Sequence, residues 1–223
     1  MRSRTFVLAA VLLVVSAAAV SAAGISVGAR VGLMETKISQ APESWDDALG
    51  FRAGFTGGAF MKYDINDRFG IQPEIFYVQK GVDATLYEGL VDVGATLSID
   101  YLEIPLLAVY SFTQVPHVTP YIYAGPSFSY VLSSELSASA FILSADIDFS
   151  SFTHTTDFSI IAGGGFEIPA DALTLLFDVR FMYGFTNVIM SGDFEIDGST
   201  QTIDEDDFKN YGFAFTAGVG FSL

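Results

Sequence analysis

The residue types that could do chemistry gather in three places. His154 stands near Ser150, Ser151 and Asp157, the side chains of an activated nucleophile. Asp204, Glu205, Asp206 and Asp207 form an acidic run of the kind hard divalent cations take. Arg30, Arg52, Glu74, Glu103, Glu167, Asp178 and Arg180 stand at alternating positions of otherwise apolar or small-residue segments. Histidine and serine sharing one stretch is ordinary in a polar connection, and nearness along a chain is not geometry. The acidic run has neither the spacing nor the shaping glycine of a calcium loop, so a solvated acidic rim is the expectation there. Gly163-Gly164-Gly165 has no following helix or lysine and is not a phosphate loop. The sequence therefore points to no catalytic residue, metal or cofactor, and the third set, a charge network, is the feature to place.

Its elements are strands. In Tyr211–Leu223 every odd position is apolar or aromatic and every even position is small. Period two of this kind is a β-strand with one face bulky and the other nearly bare. Seven more segments alternate in the same way: residues 24–34, 50–65, 69–79, 98–112, 120–132, 157–168 and 172–187. Connections alternate between long (35–49, 80–97, 133–156, 188–210) and short, with Asn66-Asp67 and Pro169-Ala170-Asp171 as tight turns and Pro116 in a third. The apolar loop 133–156 either extends its flanking strands or adds a hairpin that would raise eight strands to ten. Residues 194–203 around Asp197-Gly198 read as a small separate hairpin.

Charge decides which face meets what. On the more apolar face of the eight segments, counted from Leu102 in the fourth, no residue is charged, although 16% of the chain is. A charge at the bilayer midplane on a barrel's lipid face costs ~2–4 kcal/mol, which is enough to exclude it. Aromatic residues cluster at both ends: Phe51, Tyr77, Tyr130, Tyr183, Phe185 and Tyr211 at one, Tyr63, Phe69, Tyr110, Phe112 and Phe221 at the other. Two such girdles suit two membrane interfaces. A soluble ligand-binding barrel reverses this pattern, with large apolar side chains inside. The fold class expected is an all-β, eight-stranded antiparallel up-and-down transmembrane barrel, with short periplasmic turns and long extracellular loops.

Met1–Ala22 reads as a secretory signal, with Arg2 and Arg4 before an apolar stretch and small residues at Ser21, Ala22 and Ala23. Residues 23–223 then form the barrel domain. Losing Arg2 and Arg4 leaves 8 basic against 26 acidic residues, which argues against a nucleic-acid partner. Cysteine is absent, so neither disulfides nor thiolate sites arise. The expected surroundings are outer-membrane lipid and lipopolysaccharide, with the barrel a monomer. Thr216, Gly218, Phe221 and Leu223 resemble the terminal signal read by the outer-membrane insertion machinery. An envelope protein docking on the outer loops, where Trp45 lies, is a further expected kind of partner.

Several segments also resemble the PorT-type outer-membrane barrel family. They are Gln72-Pro73-Glu74-Ile75-Phe76-Tyr77 with Gln79-Lys80-Gly81, Tyr101-Leu102-Glu103-Ile104-Pro105, Tyr121-Ile122-Tyr123-Ala124-Gly125-Pro126, Gly28–Gly32 and Arg180–Gly184. The resemblance implies an eight-stranded barrel and, in the founding members, a link to protein secretion. It carries no catalytic residues.

Three functional classes follow. A barrel whose inward charges pair as a salt-bridged plug would serve a structural, adhesion or assembly role. The alternatives are a narrow pore and a lipid-modifying enzyme built on His154. An eight-stranded bore is only wide enough to be filled by side chains, which favours the plug.

Overall fold

The computed structural model describes residues 24–39, 49–88, 91–113, 115, 117–140, 143–148, 154–187, 192–196, 199–203 and 209–223. The expected signal (Met1–Ala22), Trp45, Ser150, Ser151, Pro116 and the acidic run Asp204–Asp207 lie outside the described residues.

The strands are β1 (Ile25–Ser39), β2 (Leu49–Asp64), β3 (Phe69–Glu88), β4 (Val91–Ser111), β5 (Thr119–Ala140), β6 (Leu143–Asp148), β7 (Thr156–Ala170), β8 (Leu173–Asn187), β9 (Gly192–Ile196), β10 (Ser199–Ile203) and β11 (Lys209–Ser222). Eight of them close into an antiparallel ring, β1-β2-β3-β4-β5-β7-β8-β11. The last strand closes it, pairing with the first from Ser26↔Ser222 to Ser39↔Lys209. Closure matters because hydrocarbon offers no partner to an unpaired backbone edge.

Alternation sorts the side chains as the sequence predicts. Leu33, Phe158, Phe185 and Phe215 are each more than half exposed on the outer face, while Arg30, Phe76, Leu107, Ile161 and Met182 are buried inside. Edge-to-face ring pairs mark both ends of the outer surface: Phe51–Tyr211 and Tyr183–Phe185 at the loop end, Phe69–Tyr110–Phe112 at the turn end.

Short connections have local causes. Asn66 Oδ1 accepts from the backbone N–H of Arg68 and of Phe69, both at 3.0 Å, and so folds the β2–β3 turn. His117 (φ 67°) and Asp171 (φ 53°) take the left-handed conformation that tight reversals demand.

The strands outrun the sequence boundaries. Residues 80–97, expected as a long loop, instead continue β3 and β4 as a paired ribbon from Val82↔Leu97 to Glu88↔Val91. Strand β5 runs to Ala140 and takes β6 alongside, outside the ring, rather than feeding a ten-stranded barrel. Strands β9 and β10 form a separate hairpin. The physical reason is simple: apolar alternation stops where lipid stops, but hydrogen bonding between strands does not.

Register slips where the barrel leaves its apolar band. Between Phe51 and Thr56 the β2–β3 ladder breaks. Side chains take over the backbone groups left there. The Thr36 hydroxyl donates to the Gly81 carbonyl and accepts from the Gly81 N–H, each at 2.9 Å. Arg52 Nη1 donates to the Lys80 carbonyl at 3.1 Å, and Phe55 N–H donates to Gln79 Oε1 at 3.3 Å.

Candidate functional site

The interior is layered, and its centre is an ion-pair tetrad. Arg30 (β1) lies 3.1 Å from Glu74 Oε1 (β3) and 3.2 Å from Asp178 Oδ2 (β8). Arg180 (β8) lies 3.0 Å from Glu74 Oε2 and 3.7 Å from Asp178 Oδ1. Two cations thus meet two anions, so the charges cancel locally. The remaining lone pairs find donors: Gln72 gives a 2.7 Å bond to Glu74, while Tyr121 and Tyr123 give Asp178 bonds of 3.3 and 3.0 Å. Each guanidinium also lies over a ring, Arg30 on Phe60 at 4.5 Å and Arg180 on Phe76 at 4.9 Å. All four charged side chains are buried. Arg30 Nε and Arg180 Nε and Nη2 make no hydrogen bond among the described residues, so it is the balance of two cations against two anions that lets these groups persist in a low dielectric.

Toward the loop end the tetrad is covered by apolar side chains. Met34, Val78, Ile161, Met182 and Ala214 are buried in one cluster with Phe76, Tyr121 and Tyr123. On the other side Leu107 and Val109 belong to the same cluster. The centre of the lumen is therefore a packed core with a polar knot inside it.

Space for the knot comes from the bare face of β11 and from β7. A Cβ at Gly218 would stand 2.6 Å from Arg30 Cγ. One at Gly165 would stand 2.7 Å from Asp178 Cβ, and one at Gly163 2.6 Å from the Tyr123 hydroxyl. Gly163 and Gly165, the inward members of the triple glycine, are the relief into which the plug's side chains fit.

The other sequence-derived charges lie elsewhere. Glu103 belongs to a loop-side cluster, where Lys80 Nζ lies 2.9 Å from its Oε2 and Ser129 donates at 3.4 Å. Glu167 lies at the turn end, 3.4 Å from Lys62 Nζ, which also reaches Asp64 at 3.3 Å and Ser111 at 3.5 Å. Arg52 joins no ion pair among the described residues; its guanidinium mends the broken ladder described above. The sequence reading thus missed Lys62 and Lys80. Lys62 sits at an even position of the second strand, the same face as Arg52, and that parity was the available signal. Lys80 opens the stretch 80–97 expected as a loop, although it continues the inward series Gln72, Glu74, Phe76, Val78.

Of the residues that suggested hydrolysis, Ser150 and Ser151 lie outside the described residues. Asp157 turns inward and is 4% exposed, whereas His154 precedes β7 and is partly exposed. Among the described residues no group of three or more His, Asp or Glu side chains is placed to hold a metal ion. Of the terminal four residues, Thr216 and Gly218 face inward, Phe221 is exposed on the outer face, and the Leu223 N–H donates to the Ile25 carbonyl at 2.9 Å.

No curated protein matches the chain. Solved structures to which it is similar include Neisserial surface protein A (NspA), at 16% identity and TM-score 0.45 over 90% of this chain and 98% of that one. OprG from Pseudomonas aeruginosa matches at 14% identity and TM-score 0.49, over 88% and 94%. The outer membrane enzyme PagL matches at 14% identity and TM-score 0.42, over 89% and 99%. The model of the outer membrane protein beta-barrel domain matches residues 17–190, well over half the chain. The chain has the closed antiparallel ring described above and belongs to that family, as a protein of the bacterial outer membrane.

Proposed function

We propose that the protein is a plugged barrel whose role is structural, adhesive or assembly-related rather than conductive. The observation that carries this reading is the tetrad of Arg30, Glu74, Asp178 and Arg180, packed against the apolar layer of Met34, Val78, Ile161 and Met182. An ion crossing the lumen would have to break balanced buried pairs and then enter a dry layer, each step costing several kcal/mol. The interior network is thus a fastener, and the work of the protein falls to what it displays beyond the lipid: the β3–β4–β5–β6 extension and the β9–β10 hairpin.

The PorT-type resemblance supports a finer version, in which this display serves a secretion or assembly partner in the envelope. In that arrangement the short turns face the periplasm, the long connections face outward amid lipopolysaccharide, Met1–Ala22 is removed on export, and the barrel works as a monomer. Thr216, Gly218, Phe221 and Leu223 act as the terminal signal for the insertion machinery, with Phe221 on the lipid side of the closing strand.

Planar-bilayer recording of the refolded protein tests the plug. The expected result is no stable unitary current; reproducible single-channel steps would replace the plug with a pore. Crosslinking from the β9–β10 hairpin, followed by identification of what is captured, tests the display role.

A further inference from the structure

Above the apolar layer, on the loop side, the lumen opens into a second polar chamber whose charges do not cancel. Its inward side chains are Lys80 (β3), Tyr101 and Glu103 (β4), Ser129 (β5), Asp157 and Ser159 (β7) and Asn210 (β11), all buried. Lys80 Nζ lies 2.9 Å from Glu103 Oε2, an ion pair without hydrogen-bond geometry, and over the Tyr101 ring at 4.7 Å. Asp157 is left over. The charges that reach it are Lys80 and Glu103, which oppose each other. Arg52, the other inward cation at this end, is turned to the Lys80 carbonyl instead.

Four oxygens here have no hydrogen-bond partner among the described residues: both carboxylate oxygens of Asp157, Oδ1 of Asn210 and Oγ of Ser159. Thr186 on β8 turns both its hydroxyl and its backbone N–H toward Asp157 without closing a hydrogen bond to it, and the hydroxyl accepts from the Phe158 N–H at 3.0 Å. Asn210 is oriented by its other end, Nδ2 donating to the Tyr101 hydroxyl at 3.4 Å, so its carbonyl oxygen stays free. Gly184 separates the two partners: a Cβ there would lie 3.5 Å from Asp157 Oδ1 and 3.1 Å from the Asn210 backbone oxygen. The missing side chain leaves room beside the carboxylate.

We infer that Asp157, Asn210 and Ser159 form a buried site for one monovalent, oxygen-seeking metal cation of sodium or potassium size. The ligand set is all oxygen, which suits hard cations rather than soft ones. The charge is set by Lys80: with Glu103 already neutralised, the deficit is one unit, and a divalent ion would leave an excess positive charge beside the lysine. Leu97 and Ile99, the next inward residues of β4 toward the loop end, are buried too, so the ion is a structural occupant and not a species in transit.

The test uses the full folded barrel in detergent, in buffers of equal ionic strength whose cation is sodium, potassium or N-methyl-D-glucamine, the last too large for the chamber. Thermal unfolding rates are read from the gel shift between folded and unfolded forms. At about ten times the half-saturating concentration of the preferred ion, unfolding should be about tenfold slower than in N-methyl-D-glucamine. Asp157→Asn should abolish the difference while remaining folded. If that variant fails to fold, Asn210→Ala, which removes one ligand and keeps the charge, should raise the half-saturating concentration several-fold. Equal rates for the wild type in all three salts would overturn the site, leaving water or a proton at Asp157. So would a cation effect that survives Asp157→Asn unchanged, which would place it at the membrane surface.

Discussion

Glu74→Gln should be among the most damaging single substitutions in this barrel, although it removes no atom of bulk. The Glu74 side chain is fully buried and holds Arg30 at 3.1 Å, Arg180 at 3.0 Å and the Gln72 amide at 2.7 Å. Without its charge, Asp178 faces two guanidiniums alone, and one buried cation is uncompensated. Breaking a buried pair from one side costs about 3–5 kcal/mol. Arg180→Met breaks the same balance from the other side and should cost a similar amount. The double variant restores one cation to one anion, since Arg30 and Asp178 remain 3.2 Å apart. If the two sites were independent the double would lose roughly 6–10 kcal/mol. Charge balance predicts instead about the loss of one single, a coupling of at least ~2 kcal/mol. Urea titration of the barrel folded into phospholipid vesicles measures all four corners of the cycle, and the gel shift on heating gives an independent ranking. Additive costs, or a Glu74→Gln loss below ~1 kcal/mol, would show that the tetrad is not a unit and that the plug is held by its apolar layer alone.

Other substitutions probe the remaining levels of the structure. Gly218→Val places a branched side chain where a Cβ alone would stand 2.6 Å from Arg30 Cγ, and should lower stability by about 1–3 kcal/mol in the same titration. Phe215→Arg puts a charge on the outer face of the closing strand, opposite Leu33 and Val179, and should cost ~2–4 kcal/mol there; wild-type amounts of the folded form in outer-membrane fractions would contradict the lipid-facing assignment. Asn66→Ala removes two turn hydrogen bonds of 3.0 Å and should destabilise by ~1–2 kcal/mol, seen as a lower urea midpoint with an unchanged slope. Arg180→Ala should reduce resistance to heat without producing large conductance, because the Met34, Val78 and Met182 layer still seals the bore.

The ring was legible because lipid imposes a one-sided rule on every strand. A charge on the outer face is excluded wherever hydrocarbon is, so parity alone placed Leu33, Ile104, Phe158 and Phe215 outside and Arg30, Glu74, Asp178 and Arg180 inside. Strand ends were illegible for the converse reason. Past the apolar band the outer face carries Glu35 and Lys37, which look like loop residues, and Asp100 at the start of the fourth segment, yet the backbone remains paired. Asp100 itself accepts from Tyr77 at 2.7 Å and from Ser133 at 3.2 Å, an outward polar cluster where the aromatic belt ends. Lys80 was lost at this boundary. Arg52 was recovered as an inward residue but given the wrong task, because a slip in β2 cannot be seen in a sequence whose alternation runs unbroken through Phe51, Ala53 and Phe55.

The tetrad also explains how a strand with as little on its inner face as β11 can be held in register. Hydrogen bonds between neighbouring strands are nearly as good after a two-residue slide, which keeps every side chain on its proper face and is invisible to the lipid rule. Arg30, Glu74 and the Asp178–Arg180 pair come from β1, β3 and β8, none of which are neighbours in the ring. Strand β2 lies between the first two, and β11 between β1 and β8. Sliding any one of the three by two residues withdraws its charge from the knot and leaves the others unpaired in a low dielectric, at several kcal/mol. Strand β11, with Gly218 under Arg30 and Ala214 beside Arg180, is then fixed by the groups it makes room for.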